Sequence, residues 1–210
     1  MGWKSYLYKM LDIIEIPEEI KRMKGRLILH ISDTPSCFYH ELDRIIKILD
    51  PPWIIHTGDL VDQVKLGLHP NRKDLYAMKL RKLRNIMQGG KQHKARHIVL
   101  AMGNHDNKTI VADTFKGNII ITRESEMTVE GFDLDISHYY FMLRGGKATY
   151  NLYGHEPFLP SSSGKDRIEG ILLNGLISMN FINLDSGAVY SLPYPRYMDD
   201  SRQLKHKTGF

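Results

Sequence analysis

The sequence predicts an α/β fold in which a second sheet packs against the first. Three observations carry this expectation. Short apolar runs alternate with helix-period segments through the first half of the chain. Each of those apolar runs ends in a cluster of polar residues. The second half then changes to one strand-like run after another, with few long helical patterns between them.

The elements follow in order. Leu27 to Ile31 is a strand-length apolar run ending in Ser32-Asp33-Thr34. Tyr39 to Leu49 places Leu42, Ile45, Ile46 and Leu49 on one helical face, and Pro51-Pro52 stops it. Trp53 to His56 is a second short strand, ending in Gly58-Asp59. Residues 72 to 87 predict a second helix with Leu75, Met78, Leu83, Ile86 and Met87 inward, stopped by Gly89-Gly90. His97 to Ala101 is a third strand, running into Gly103-Asn104-His105-Asp106. Asn118 to Thr122, Phe132 to Ile136, Thr149 to Tyr153, Met179 to Leu184 and Ala188 to Leu192 read as further strands, expected in a second, mostly antiparallel or mixed sheet. Helices are expected on the outer faces.

Composition bounds the function. The chain has 210 residues, enough for one good core, with 42% apolar and 25% charged residues. No apolar run nears the roughly 18 residues that span a bilayer, so a membrane-spanning helix is not expected. Met1 to Lys9 lack the long apolar stretch of a secretory signal. Cys37 is the single cysteine, which excludes an internal disulfide and a thiolate metal cluster and suits a reducing, cytoplasmic setting. Residues 1–25 are expected as an extension packed on the body, with Leu7, Leu11, Ile13 and Ile14 as its apolar stripe. Residues 26–192 form the main domain and 193–210 a polar tail that wraps or frays, while the Pro/Ser/Gly-rich stretch 159–170 reads as a loop. The net charge of +5 is unevenly spread. Lys65, Arg72, Lys73, Lys79, Arg81, Lys82, Arg84, Lys91, Lys94 and Arg96 crowd one stretch that holds a single acid, Asp74. That stretch is either a solvated helix face or a basic rim attracting a phosphate-bearing partner. It lacks the interleaved aromatics of a base-stacking surface.

Five strand ends or adjoining turns carry candidate ligands: Asp33; Asp59 with Asp62; Asn104 with His105 and Asp106; His138; and His155. In a parallel sheet the carboxyl ends of strands lie along one edge, so residues far apart in sequence meet there. Carboxylate, amide and imidazole donors together suit a first-row divalent cation. Such a centre polarises phosphoryl groups and generates hydroxide from water, and an unligated imidazole beside it can protonate a leaving alkoxide.

Through these residues the chain resembles the calcineurin-like metallophosphoesterases. That family shows an Asp-x-His turn, a Gly-Asp-x-x-Asp turn, Gly-Asn-His-Asp/Glu, a later His and a final Gly-His. Here the counterparts are Asp33-Thr34-Pro35, Gly58-Asp59-Leu60-Val61-Asp62, Gly103-Asn104-His105-Asp106, His138 and Gly154-His155, over about Arg26 to Leu192. The resemblance implies a four-layer α/β/β/α sandwich of two mixed sheets flanked by helices. It implies that Asp59, Asn104, His138 and His155 hold one metal, that Asp33 belongs to a second site, and that His105 is the general acid, held by Asp106. It implies one or two divalent ions, Mn first, with Fe, Zn, Co or Ni as alternatives, and a phosphate-ester substrate: a small molecule, nucleotide or phosphoprotein.

After the last histidine the chain reads Gly154-His155-Glu156-Pro157 and later Asp185-Ser186-Gly187-Ala188-Val189. This is similar to the phage and bacterial branch of protein phosphatases and dinucleoside-polyphosphate hydrolases. Two positions depart from the family. Pro35 stands where a metal-binding His is expected, with His30, His40 and His56 nearby and His40 as the candidate substitute. Gln63 stands where the phosphatase branch has a phosphate-gripping Arg, a role Lys65 or Arg72 could take over. Three functions are therefore open: a metal-dependent phosphoesterase, a binding protein using the same fold as a surface, and a nuclease or nucleic-acid-processing subunit suggested by the basic stretch.

Overall fold

Leu27–Ile31, the first strand (β1), is buried at every residue because both of its faces are covered. The computed structural model describes residues 12–89, 96–121, 124–157 and 168–202. Leu27, Leu29 and Ile31 point to a core shared with the helices, while Ile28 points to a core between two sheets. The same period-two division recurs in β2 (Trp53–His56), with Ile54 and Ile55 on opposite faces, and in β3 (His97–Ala101), with Leu100 and Val99 on opposite faces. Burying each such side chain contributes about 1.5–3 kcal/mol, so these strands join the two cores.

A six-stranded mixed sheet runs β10-β9-β1-β2-β3-β4, with β4 at Ile119–Ile121, β9 at Ser178–Asn183 and β10 at Val189–Pro193. Strands β1 to β4 are parallel; β9 is antiparallel to both β1 and β10. A second mixed sheet runs β5-β6-β7-β8, formed by Glu124–Val129, Phe132–Ser137, Tyr150–Tyr153 and Ile171–Asn174. Its β6, β7 and β8 are parallel and β5 is antiparallel. The two sheets pack face to face through Ile28, Ile55 and Val99 on one side and Leu134, Ile136 and Leu152 on the other.

The helices are α1 (Glu18–Lys21), α2 (Tyr39–Leu49), α3 (Lys73–Gln88), α4 (Lys108–Thr114) and α5 (Arg196–Arg202). Helix α2 buries Leu42, Ile45, Ile46 and Leu49, the stripe read from its sequence. It ends with Asp50 in the left-handed region ahead of Pro51-Pro52. Helix α3 buries Tyr76, Leu80, Leu83 and Met87. The expected stripe is corrected at two positions, since Leu75 and Met78 face outward. The 76-80-83-87 spacing is the better helical row, and it brings the Tyr76 hydroxyl to Asp106.

The allotment of strands is also corrected. Strands β4, β9 and β10 join the first sheet. The centre of β9 is buried on both sides, which suits a strand beside β1 rather than an edge. Strand β5 was invisible to a search for apolar runs because ESEMTV is a half-exposed edge strand. Residues 196–202, expected as wrapping or fraying tail, form α5 with Met198 and Arg202 buried. Ile14, Ile16, Ile20 and Met23 pack residues 12–25 into the core. Leu7 and Leu11, much of the 159–170 loop, Lys91, Lys94 and residues 203–210 lie outside the described residues.

Candidate metal centre

The five predicted positions all follow strands that are parallel within their own sheet. Asp33 follows β1, Asp59 follows β2, Asn104 follows β3, His138 follows β6 and His155 follows β7. The first three strands belong to one sheet and the last two to the other. The carboxyl ends of both sheets therefore open on one shared edge.

The turns there are tight. Asp33, Asp59 and His155 have φ of 49°, 52° and 61°, a region that costs non-glycine residues about 1–3 kcal/mol each. Backbone hydrogen bonds hold the first two: Asp33 N–H donates to Gly58 O at 2.9 Å and Thr34 N–H to Asp59 O at 3.1 Å. Gly103 permits the close approach, since a Cβ there would collide with the Asp59 carboxylate.

Four ligand-bearing side chains converge at this edge. Asp59, His138 and His155 each offer a ligand atom within 4.8 Å of the others. His138 Nε2 lies 3.8 Å from Asp59 Oδ2 and 3.2 Å from Asn104 Oδ1. The His138 tautomer follows from its other nitrogen. Nδ1 sits 2.6 Å from the Thr57 carbonyl, which can only accept, so Nδ1 carries the proton. With Nδ1 so engaged, the Nε2 lone pair of the neutral ring faces two oxygens that are also lone-pair donors, a set that a cation placed among them would satisfy. That donor set fits a first-row divalent ion. Asp59 and His138 are 2% and 1% exposed, whereas Asn104 and His155 are exposed, so the cluster has a buried floor and an open rim.

A second cluster adjoins the first. Carboxylate oxygens of Asp33, Asp59 and Asp62 lie within 4.8 Å of one another, all buried. Burial, followed by the charges of Asp33, Asp106 and Asp62, pushes the Asp59 carboxyl well above its ordinary range. Burial and Asp33 raise Asp62 to about 6, against the opposing pull of Lys65. Burial also raises Asp33, but nearby His138 and Arg202, with hydrogen bonds from Ser32 Oγ and His155 N–H, outweigh it and hold Asp33 low. Asp62 Oδ2 is buried without a hydrogen-bond partner.

The remaining predicted residues separate by environment. His105 is half-buried at the rim. Its N–H donates to Asp59 Oδ1 at 2.9 Å, and its ring Nε2 accepts from Asn104 Nδ2 at 3.1 Å. Burial and then the Lys65 charge lower its pKa to about 4. The expected hold of Asp106 on His105 is corrected. Asp106 accepts from the N–H groups of Asp59, Leu60 and Gly103, each at 2.9 Å, and from the Tyr76 hydroxyl at 2.7 Å. The His105 Nδ1 has no hydrogen-bond partner. Asp106 thus ties the β2 and β3 turns together and does not touch the imidazole.

The two departures also find their places. Pro35 opens a 3-10 turn over Ser36–Phe38. Among the described residues, none of the three histidines near it in sequence replaces the imidazole. His30 pairs with Thr57 and Asn180 in the core, and His56 with Thr34 and the Gly58 N–H. His40 is exposed and lines a separate groove with Cys37, Asp43 and Lys82. Gln63 bonds Ser36 through both ends of its amide. Lys65, by contrast, ion-pairs with Asp62, while Arg72 is exposed. Sequence reading passed over Tyr139, whose ring packs 4.7 Å from the His138 ring and 4.6 Å from that of His155, and Arg202, whose guanidinium bonds the Ser32 and Asp33 carbonyls. Neither carries a motif.

Comparison with known proteins finds one family and several similar solved structures. The protein-family model described as calcineurin-like phosphoesterase matches residues 26–205. No curated protein sequence matches. Among solved structures, the chain is similar to YfcE, a phosphoesterase from E. coli, at 14% identity and a TM-score of 0.49, covering 80% of this chain and 98% of that one. It is similar to AQ665 from Aquifex aeolicus, a protein of unknown function, at 18% identity and a TM-score of 0.42, covering 83% and 98%. It is also similar to zinc-complexed Vps29 from Entamoeba histolytica at 15% identity and a TM-score of 0.37, covering 79% and 97%.

Proposed function

The chain belongs to the calcineurin-like phosphoesterase family, and on that premise we propose that it is a metal-dependent hydrolase of phosphate esters. The observation that supports this most is the meeting of Asp59 Oδ2, Asn104 Oδ1 and His138 Nε2, with His155 beside them, at the open edge of both sheets. These four residues would hold one divalent cation. Manganese suits the mixed oxygen and imidazole donors, as do Fe, Zn, Co and Ni. Such an ion supplies positive charge to phosphoryl oxygens and acidifies water.

The chain's own residues would do the rest. The buried carboxylates of Asp33 and Asp59 fix the floor, and the Asp33 charge adds to cation affinity on the side adjoining Asp62. The His105 ring stands at the rim, free of Asp106, where it can pass a proton to a departing ester oxygen. Its burial beside Lys65 keeps it neutral in the resting site, and an arriving phosphate anion favours its protonated form. The substrate is a phosphate mono- or diester carried by a small molecule, nucleotide or phosphoprotein. The Gly154-His155-Glu156-Pro157 and Asp185-Ser186-Gly187-Ala188-Val189 segments favour the phage and bacterial branch of protein phosphatases and dinucleoside-polyphosphate hydrolases.

Hydrolysis of an aryl phosphomonoester and an aryl phosphodiester with added Mn²⁺ tests this reading. Wild type is expected to turn over at least one of them only with the metal. His105→Ala should keep Mn²⁺ binding and lose about 100-fold or more in rate. No metal-dependent turnover of either ester would overturn the reading in favour of a binding surface.

A further inference from the structure

The second carboxylate cluster, Asp33, Asp59 and Asp62, is where a two-metal centre would seat its other ion, and the sequence offers Pro35 where an imidazole should complete it. We propose that Lys65 is the built-in second cation of this centre, its ammonium seated on Asp62 in place of a second divalent ion, so that the site takes up one ion and presents Lys65 to the substrate's phosphoryl oxygens. The inference rests on the phosphoesterase reading and deepens it.

The placement is specific. Asp62 is 1% exposed and Lys65 only 18%, so this ion pair lies within the site rather than on a wet surface. Asp62–Val64 form a 3-10 turn that brings residue 65 back over residue 62. Lys65 itself is in the left-handed region, with φ of 47°. Its N–H donates to Asp62 O at 3.1 Å, and its own carbonyl accepts from Leu68 and His69 at 2.8 and 3.0 Å. The backbone is thus held in a conformation a lysine does not prefer.

Charge points the same way. Lys65 already neutralises Asp62, a carboxylate that a second ion would have to share, and a further divalent ion beside that ammonium would meet like charge in a partly buried site. Among the described residues, moreover, the histidines near Pro35 in sequence do not stand ready to coordinate it: His30 and His56 are occupied in the core and His40 is exposed and lines a separate groove. An ammonium needs no such ligand. It also grips phosphate as a point charge, the task for which Gln63, bonded to Ser36, is unavailable.

Equilibrium dialysis of the full chain against Mn²⁺, with metal and protein quantified, tests the proposal directly. Wild type and Lys65→Arg are expected to saturate near one ion per chain. Lys65→Met, which keeps the length and loses the charge, is expected to approach two. Two ions in wild type, or one in Lys65→Met, would overturn the proposal while leaving the phosphoesterase reading intact. No ion in any form would overturn both. If Lys65→Met fails to fold, the wild-type stoichiometry decides: one ion supports the proposal and two contradict it.

Discussion

Residues in and beneath the centre act through constraints that side-chain chemistry discloses. Gly103 must lack a side chain because the Asp59 carboxylate occupies the space a Cβ would take. Asp59, Asn104, His138 and His155 bring carboxylate, amide and imidazole lone-pair donors together. His30 and His56 show the opposite use of the same side chain. Each is fully buried, paired at both nitrogens, and lowered by burial to about 3. An imidazole with a folded pKa near 3 and an unfolded pKa near 6.5 binds a proton only in the unfolded chain across that window. Its contribution to stability is intact above about 6.5 and falls as acid is added, by about 2 kcal/mol per ring at pH 5. Asp62, raised to about 6, works the other way between 6 and 3.8 and offsets part of the loss. Urea unfolding of wild type and His30→Gln at pH 7 and pH 5 isolates the imidazole. The variant should lose about 2 kcal/mol less than wild type over that step; an equal loss would show that His30 is not buried as a neutral ring. The candidate ligands were legible in sequence because each closes an apolar run. The role of Asp106 was not, since Gly-Asn-His-Asp places it next to His105 in sequence while its oxygens turn toward backbone N–H groups of two loops.

At the scale of elements, the parallel strands β1 to β3 and the helices α2 and α3 were legible from periodicity because both faces of those strands and one face of those helices are apolar. Strand β5 was not, because its residues alternate in and out of water at an edge, and β8 was not, because four residues with exposed Ile171 and Leu172 give too short a pattern. Helix α5 is the instructive miss. Its sequence is polar, and it is anchored through one buried cation rather than an apolar stripe. The Arg202 guanidinium donates to the carbonyls of Asp33 at 2.7 Å, Leu176 at 2.8 Å and Ser32 at 2.9 Å, and lies 4.3 Å over the Tyr194 ring. No local pattern announces such a contact, because its acceptors lie as far as 170 residues away in the chain. Arg202→Met keeps most of the packing and strips three carbonyls of their donor, so it should cost about 3 kcal/mol, read as a lower urea midpoint. An unchanged midpoint would mean that α5 is not fastened to the β1 turn through this residue.

For the whole molecule, two mixed sheets packed face to face bring five strand ends to one rim, and that arrangement makes the chemistry conceivable. The first sheet supplies the acids and Asn104, the second supplies His138 and His155, and neither alone holds a complete ligand set. The helix-covered core and the inter-sheet core hold the strands in register, so stability and ligand geometry depend on the same packing. Among the described residues no helix is long and apolar enough to cross a membrane. The basic stretch resolves into individual tasks: Lys65 sits on Asp62, Lys79 donates to Ser36, and Arg96 is buried against Asp50, while Arg72, Lys73, Arg81 and Lys82 are exposed. The convergence of both sheets on one cation is tested most directly by a crystal of the full chain grown with Mn²⁺ and mapped by anomalous scattering. A peak at bonding distance from Asp59, Asn104, His138 and His155 is the expected result; a map with no ion there under saturating Mn²⁺, or with the ion bound elsewhere on the surface, would contradict it.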